Sequence, residues 1–298
     1  MTAPEPPPVA QSTSRAVLRA LLTHKLAVFG LVVLALLLVT AVLGSVLAPY
    51  EENAVDVLGR LQGPSWAHPF GTDELGRDVL SRVLVASRVS LLVGLVSVGI
   101  SLTAGVVLGL VAGFYGRWVD DLVMRAMDVL FAFPAILLAI AILAVLGPGS
   151  TNVMIAIGVV YTPIFARITR ASVLSVREEV YVRAARSLGV GDLRLLRLHV
   201  LPNVLAPIIV QTSLSLAFAI LSEAALSFLG LGVQPPDPSW GRMLFEGRGF
   251  VEQAWWMGVF PGVAIFLTVL SFNVVGDALR DALDPRQRSA IESRGAAA

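Results

Sequence analysis

The sequence predicts an all-α membrane protein with six transmembrane helices, and three observations support that fold class. First, 56% of the 298 residues are hydrophobic and 14% are charged, whereas about a quarter of the residues of a soluble domain are charged. Second, the mean hydropathy is +0.80, and a single core stops growing at about 250–300 residues, so the apolar excess is expected to face lipid. Third, the apolar residues fall into six long stretches.

Each apolar stretch has about the length that a helix needs to cross a hydrocarbon core about 30 Å thick, which is roughly 20 residues. The predicted spans are 26–47, 90–113, 129–146, 153–171, 204–229 and 255–275. Arg15, Arg19 and Lys25 precede the first span, so a signal peptide is the alternative interpretation. We favour a retained anchor, because the stretch exceeds the apolar region of a signal peptide and more spans follow.

The basic residues predict the orientation of these spans. The two termini and the second and fourth connections together carry 16 of the 22 basic residues, and the other three connections carry 6. Loops with an excess of lysine and arginine stay on the cytoplasmic side. The sequence therefore predicts that both termini are cytoplasmic.

The remaining stretches are interpreted as connections and tails of one membrane domain, residues 15–288. Residues 1–14 are rich in proline, serine and threonine, which is typical of a disordered tail, and residues 289–298 form a C-terminal tail. The outer loop covers residues 48–88, and the cytoplasmic loop covers residues 173–203.

A surface helix is expected inside the outer loop. Thr72 is placed to cap it, and Asp73 and Glu74 would then lie in its first turn, near the positive end of the helix dipole. Such a helix would lie along the membrane surface with its polar side exposed. Aromatic residues of the outer side are expected at the membrane interface: Trp66, Phe70, Trp240, Trp255 and Trp256.

Several kinds of chemistry are excluded. Without cysteine the chain forms no disulfide scaffold, thiolate nucleophile or cysteine-held metal centre. Its net charge of +1 gives no indication of the strongly basic surface that binds nucleic acid. An ATP-binding P-loop needs a lysine after a glycine-rich turn, but no glycine precedes the only lysine, Lys25. No catalytic constellation or metal-binding cluster is apparent, so we expect neither an enzyme nor a cofactor on this chain.

The fourth connection holds 7 of the 22 basic residues, and we call its segment 173–203 the arginine-rich loop. A helix is predicted over 175–188, ended by Gly189 in a left-handed conformation. Asp192 is placed to cap a second helix over 193–201, which Pro202 would end. Paired helices of this kind are typical of a docking device. A basic loop that only sets the topology explains the arginines, but it does not explain the helices or the turn.

Two sets of residues inside the spans have alternative interpretations. Small residues recur every fourth position in the second span and indicate close helix packing, within the subunit or against a partner: Ser97, Ser101, Gly105, Gly109 and Gly113. Glu223 lies in the fifth span, three turns after Gln211. Placing a carboxyl group inside the membrane costs free energy, so its presence indicates a role in a translocation pathway. A structural hydrogen bond to another helix is the favoured alternative.

Residues 181–203 resemble the E-A-A-x₃-G-x₉-I-x-L-P loop of ABC importer permeases. Arg183 replaces the glutamate and His199 replaces the isoleucine, as in the permeases for dipeptides, oligopeptides and nickel. Three further segments, 71–82, 228–241 and 273–286, resemble the second, C-type permease of those systems, so the resemblance runs from about residue 20 to 288.

The resemblance implies a type I ABC importer permease fold in a bacterial-type cytoplasmic (inner) membrane. It also implies a heterodimer with a homologous permease, two cytoplasmic P-loop ATPase subunits that bind ATP and Mg, an extracytoplasmic solute-binding protein and a peptide substrate. The loop would form a helix that docks on an ATPase, with these residues in that surface or its framework: Tyr181, Arg183, Ala184, Ala185, Arg186, Gly189, Asp192, Leu201 and Pro202.

Other functions remain open on the residues alone. Permeases of the same family also take nickel, glutathione or other small solutes, and no cluster of histidines or acids marks a metal path here. An ion-coupled secondary transporter needs intramembrane ionisable residues, broken helices and an internal repeat, for which Glu223 alone is weak support.

Overall fold

The computed structural model describes residues 21–283, so the two predicted tails lie outside the described residues. Ten α-helices follow one another in this range: α1 (Lys25–Leu47), α2 (Val79–Tyr115), α3 (Arg117–Phe131), α4 (Ala135–Leu146), α5 (Ser150–Val176), α6 (Val180–Ser187), α7 (Asp192–Leu195), α8 (Leu201–Phe228), α9 (Trp240–Gly247) and α10 (Trp256–Leu283). A π-helical turn, Leu196–Val200, joins α7 to α8, and no strand occurs between residues 21 and 283. The prediction of an all-α membrane protein is confirmed.

Five helical stretches are long and apolar enough to cross a membrane: α1, α2, α5, the continuous run 192–228 and α10. A sixth span exists only if α3 and α4 count as one, and these two helices are bent by 92° at the break between them. The prediction of a continuous third span over 129–146 is therefore wrong. Pro134 has no N–H to continue the helix, and it disfavours the helical conformation for the residue before it.

Helices α2 and α5 pack backbone against backbone through the small-residue stripe. A Cβ on Gly105 would lie 2.5 Å from Phe165 Cβ, and one on Gly109 would lie 2.5 Å from the carbonyl oxygen of Ala166. One on Gly113 would be slightly less crowded, 2.8 Å from Val173 Cβ. Ser97 and Ser101 on the same stripe are fully buried. The stripe thus packs α2 against α5 within this chain, where larger side chains would force the helices apart.

The expected surface helix in the outer loop is wrong. Asp78, not Thr72, is the cap: its Oδ2 accepts a 2.8 Å hydrogen bond from the Ser81 N–H, and α2 then continues without a break to Tyr115. Thr72 instead pairs with Asp78 in an isolated β-bridge, and its hydroxyl donates to the carbonyl of Gly59. The polar side of this stretch faces protein, since Arg82 is only 1% exposed.

The segments 48–78 and 229–255 lie at the same end of the bundle, and we call them the cap. Trp240 on α9 is 1% exposed and donates through Nε1 to the carbonyl of Val83. Trp256 is also buried and donates to the carbonyl of Thr72. The rings of these two tryptophans therefore fill the core beneath the cap, and their expected level at the membrane interface stays a prediction. Trp66, by contrast, is fully exposed.

Candidate functional site

The arginine-rich loop forms a short helix at the end of the bundle opposite the cap. The expected helix over 175–188 is broken: α5 ends at Val176, and α6 begins at Val180 after a three-residue turn. The carbonyl of Glu179 accepts hydrogen bonds from the N–H groups of Val182 and Arg183 and so starts α6. This break separates α6 from the span before it.

Gly189 ends α6 as predicted, in a left-handed conformation with φ of 79°. Its N–H donates to the carbonyl of Arg186, and the N–H of Val190 donates to that of Ala185, which is the usual glycine-terminated helix end. A Cβ at this position would meet nothing within 4 Å. The requirement for glycine is therefore conformational and not one of space.

The second helix differs from the prediction at both ends. Asp192 does not cap it, because the cap residue is Gly191 and Asp192 already lies in the first turn of α7. Pro202 does not end it, because α7, the π turn and α8 form one helical run to Phe228. A π turn directly before Pro202 shifts the hydrogen-bond register where the proline N–H is missing. The loop is therefore one short helix docked beside the base of a long span.

One face of this loop is fixed to the bundle. Val182 on α6 is buried in the same cluster as Leu195 and Val200, with Ala185 packed half-buried against it. Arg177 donates through Nη1 to the carbonyl of Gly113 at 2.7 Å. The Arg186 guanidinium lies 5.1 Å from the centre of the Phe114 ring. Arg186 therefore contacts the last turn of α2 from α6, and Arg177 contacts it from the turn before α6.

The other face is open and mixes apolar with basic side chains. Leu188 is 86% exposed and Leu193 is 79% exposed. Val180, Tyr181 and Leu198 are also exposed. The small residue Ala184 lies among exposed arginines, which make up the rest of the surface: Arg183, Arg194 and Arg197. Large apolar residues rimmed by charge are typical of a protein-binding surface.

Tyr181 and the proline turn complete this surface. The Tyr181 hydroxyl lies 3.4 Å from the carbonyl oxygen of His199. Burial raises the pKa of Tyr181, and the charge of Glu179 raises it further, so this hydroxyl remains a donor at neutral pH. Leu201 packs half-buried against the core and Pro202 is exposed. The predicted loop residues are thus brought together at one end of the bundle.

The opposite end contains a buried ionic cluster that sequence reasoning missed. Arg77 Nε lies 2.6 Å from Asp73 Oδ2, and its Nη2 lies 3.1 Å from Glu74 Oε1. Glu246 on α9 reaches the same guanidinium at 3.0 Å and Arg82 at 3.2 Å. The cluster therefore ties the first turn of α2 to α9, which lies more than 160 residues later in the chain.

The carboxylates of this cluster do not form an open metal site. Ligand atoms of Asp73, Glu74 and Glu246 lie within 4.8 Å of one another, a spacing that a cation could use. However, the Arg77 guanidinium pairs with all three carboxylates, and a guanidinium has no acceptor and stays charged. Burial raises the pKa of Glu74, and the neighbouring Asp73 charge adds to the rise. The cap is thus held by arginine in place of metal.

The sequence comparisons agree with this architecture. Residues 105–289 match the family described as binding-protein-dependent transport system inner membrane component, and residues 12–64 match the N-terminal TM domain of oligopeptide transport permease C. The chain belongs to this permease family. It is thus a multi-pass inner-membrane subunit of a binding-protein-dependent transport system.

Curated relatives match the permease over almost its whole length. The dipeptide transport system permease protein DppC of Alkalihalophilus pseudofirmus is 47% identical, with 95% of each chain covered. The di/tripeptide transport system permease protein DppC of Pseudomonas aeruginosa is 49% identical, with 90% of each covered. The glutathione transport system permease protein GsiD of Pectobacterium atrosepticum is 46% identical, with 91% of this chain and 90% of its own length covered.

Solved structures share the fold. A chain of the MetNI methionine ABC transporter in inward-facing conformations superposes with a TM-score of 0.53 at 17% identity, covering 68% of the permease and 96% of its own length. A chain of an amino acid ABC transporter with histidines gives a TM-score of 0.52 at 15% identity, with 67% and 92% covered. At these identities the similarity describes the fold alone.

The two predicted pathway residues of the permease lie apart from each other. Glu223 is fully buried, and its Oε1 accepts a 2.7 Å hydrogen bond from Ser227 on the next turn. Gln211 lies three turns lower and donates to Ser215 of the same helix. The structure therefore places the Glu223 carboxyl group inside the protein, in a hydrogen bond within α8.

A second pair of polar residues in the spans was missed. The hydroxyls of Tyr161 on α5 and Ser222 on α8 lie 3.0 Å apart. A signal for this pair was available, since Tyr161 is the only one of four tyrosines that falls in the middle of a predicted span. Ser222 is the residue before Glu223, so its side chain is rotated by about 100° around α8 from the buried carboxyl group.

Proposed function

We propose that this permease is one of two membrane subunits of an ATP-driven importer of di- and oligopeptides and forms half of its translocation pathway. The exposed surface around α6 supports the proposal most directly. It combines exposed apolar and basic side chains, and its framework is fixed to the bundle by Val182 and Arg177. A rigid protrusion with an open apolar and basic face suits the docking of another protein.

The substrate class follows from the relatives. The curated relatives described above are named for dipeptides, di- and tripeptides and glutathione. Their common chemistry is a short peptide, which favours peptide over the nickel alternative. A family defined by dependence on a binding protein also disfavours the secondary transporter.

In this proposal the arginine-rich loop faces the cytoplasm, as the distribution of 16 of the 22 basic residues favours. Two ATPase subunits bind ATP and Mg and dock on α6 and on the matching helix of a second, homologous permease. When ATP brings the ATPases together, α6 moves with the end of α2 through Arg177 and Gly113. Helix α2 has 37 residues, about 55 Å, so it extends from this loop to the cap.

The cap is then the side that receives the peptide from the binding protein. Its ionic cluster joins the start of α2 to α9 through Glu246. Because α2 is continuous from Val79 to Tyr115, a movement of the arginine-rich loop is transmitted to the cap by one unbroken helix. This connection is the proposed mechanical basis for opening the pathway towards the binding protein.

Reconstitution tests the function. The permease is assembled in proteoliposomes with the second permease and the two ATPases, and uptake of a labelled dipeptide is measured with and without ATP and binding protein. We expect uptake to require both ATP and the binding protein. Competition by unlabelled glutathione or by Ni²⁺ then shows which class of substrate the importer takes. Uptake driven by a proton or sodium gradient, without ATPases, would establish a secondary transporter and reject the proposal.

A further inference from the structure

Four consecutive exposed residues, 234–237, interrupt the buried segment between α8 and α9, and we call them the exposed turn. The residues on either side are buried, with Val233 4% exposed and Ser239 0% exposed. Gly241, at the start of α9, packs closely on α8, since a Cβ on it would lie 2.6 Å from the Cα of Ala224. The exposed turn therefore projects from a stretch that is otherwise packed into the cap.

Buried serine hydroxyls fix both ends of the exposed turn. Before the turn, the Val233 N–H donates to Ser227 Oγ at 3.2 Å. After the turn, the Trp240 N–H donates to Ser90 Oγ at 3.3 Å. Ser227 is on α8 and Ser90 is on α2, and both are 0% exposed. Two membrane helices therefore hold the turn, one at each end.

The carboxyl group of Glu223 connects these serines. Ser227 donates its O–H to Glu223 Oε1 at 2.7 Å, and the hydroxyls of Ser90 and Ser239 also interact with this carboxyl group. Ser239 Oγ accepts the Arg242 N–H at 3.2 Å and so caps α9. A serine hydroxyl has one donor besides its acceptor lone pairs. Because all three serine oxygens accept a backbone N–H, each O–H is left to donate towards Glu223.

The exposed turn has little conformational freedom of its own. Pro235 and Pro236 have a fixed φ. The side-chain amide of Gln234 donates to the carbonyls of Gly230 and Gly232, at 3.2 Å and 2.9 Å. A segment that is already ordered loses less entropy when another protein binds to it. The turn is therefore preorganised for contact with a partner.

Asp237 is the charged residue of the exposed turn. It is exposed and makes no ion pair with any residue in the range 21–283. By contrast, Glu246 in the same cap pairs with three buried or half-buried arginines. An unpaired carboxylate on a preorganised turn suits a basic residue of another protein.

We propose that the exposed turn is a docking point for the extracytoplasmic binding protein, that Asp237 pairs there with a basic residue of that protein, and that Glu223 is a positioning residue for the turn. This inference rests on the proposed function, in which the cap receives the peptide. A binding protein docks and leaves again for each peptide. A polar, charged contact suits such a transient complex, whereas permanent subunit interfaces are more apolar.

Titration with the binding protein tests the charge. The ATPase activity of the reconstituted complex is measured against the concentration of dipeptide-loaded binding protein. Asp237→Asn should raise the half-saturating concentration about two- to fivefold and Asp237→Arg about tenfold, with the maximal rate regained at saturation. Glu252→Arg, which changes another exposed acid of the cap, is the matched control and should stay within about twofold of the parent. An equal rise for Glu252→Arg would show a general effect of charge and reject the turn.

Cross-linking tests the identity of the partner. Because the chain has no cysteine, Asp237→Cys gives this subunit a single thiol. A short thiol-to-amine cross-linker should join that thiol to the binding protein in the assembled complex. A cross-link to the second permease alone would assign the turn to the subunit interface and reject the proposal.

Substitution of Glu223 tests the positioning role. Glu223→Ala removes the acceptor of the Ser227 hydroxyl and should raise the half-saturating concentration of binding protein about as much as Asp237→Asn. Glu223→Gln keeps a carbonyl acceptor and should restore most of the loss. If both variants lower the maximal rate and the unfolding temperature but leave the half-saturating concentration unchanged, Glu223 is only structural and its positioning role is rejected.

The outcomes separate the two proposals. If the parent complex imports peptide with binding protein and ATP, but Asp237→Arg titrates like the parent, the docking point is rejected and the proposed function stands. If the parent complex imports no peptide, the proposed function itself fails.

Discussion

The two ends of this permease use arginine in opposite ways. In the cap, Arg77 and Arg82 are buried, and each pairs with Asp73 and Glu246. At the other end, the arginines of α6 and α7 are exposed, and Arg183, Arg194 and Arg197 make no side-chain ion pair with any residue in the range 21–283. The same residue type closes one end and leaves the other end open.

The difference shows at which end of the molecule the arginine charges are paired by carboxylates of the same chain. A buried guanidinium must be paired, so the cap contains its own counter-charges. Exposed arginines beside Leu188 and Leu193 have no such partners here, and large exposed apolar residues indicate a surface made for another molecule. Substitutions in the cap should therefore cost stability, whereas those in the loop should cost function.

The largest effect is expected for Arg82→Met. The substitution keeps an apolar stem but leaves Asp73 and Glu246 buried with less positive charge, which costs about 3–5 kcal/mol of stability. Thermal unfolding of the detergent-solubilised subunit measures it. The matched control, Arg194→Met at the exposed end, should change stability by less than about 0.5 kcal/mol. Equal losses for both variants would contradict the comparison.

A smaller effect is expected for Gly189→Ala. Its left-handed conformation, with φ of 79°, costs an alanine about 1–2 kcal/mol, although the space around it is free. We expect the end of α6 to loosen and uptake per ATP hydrolysed to fall. Gly191→Ala is the control, because that residue has φ of −64° and equally free surroundings. Should both variants behave alike, the turn at Gly189 is not what positions α6.

Arg183→Glu should change function with little change in stability. Its side chain is exposed and unpaired in the described part of the chain, so the free energy of unfolding should change by less than about 0.5 kcal/mol. Association with the ATPase and peptide uptake should both fall a few-fold, and the dependence on salt concentration should weaken. Arg183→Gln is the intermediate control. Unchanged uptake in both variants would remove Arg183 from the docking surface.

The smallest effect is a trend with pH for Glu74→Gln. Burial raises the pKa of Glu74 in the folded state, so folding favours its protonated form. That contribution is complete below the pKa of the unfolded chain and is lost as the pH rises through the folded-state pKa. The unfolding temperature of Glu74→Gln relative to the parent should therefore rise between pH 4 and pH 8. A falling difference would show that the Arg77 pair dominates Glu74.

Sequence reasoning succeeded where the signal is local. The left-handed turn at Gly189 depends on one residue and its neighbours, and the membrane helices depend on continuous apolar stretches. It failed at Thr72, because the choice between Thr72 and Asp78 as the cap depends on contacts with Gly59. It also missed the pairing of Arg82 with Glu246, since no local pattern joins residues that are 164 positions apart.

The third span shows a different kind of failure. Pro134 was a local signal for a break, but the apolar stretch on either side was continuous and outweighed it. The consequence was that the 92° bend between α3 and α4 was not predicted. Proline alone does not decide where a span breaks, because Pro163, Pro207 and Pro261 lie inside continuous helices of the same molecule.

Cross-linking of the two ends tests the central claim most directly. Ala184→Cys on α6 and Trp66→Cys in the cap both place a thiol at an exposed position, and each thiol is the single one of its variant. In the reconstituted complex, a short thiol-to-amine cross-linker on the Ala184→Cys variant should join this permease to an ATPase subunit, identified by mass, and the same reagent on the Trp66→Cys variant should not. A cross-link to the ATPase from position 66 but not from position 184 would contradict the account.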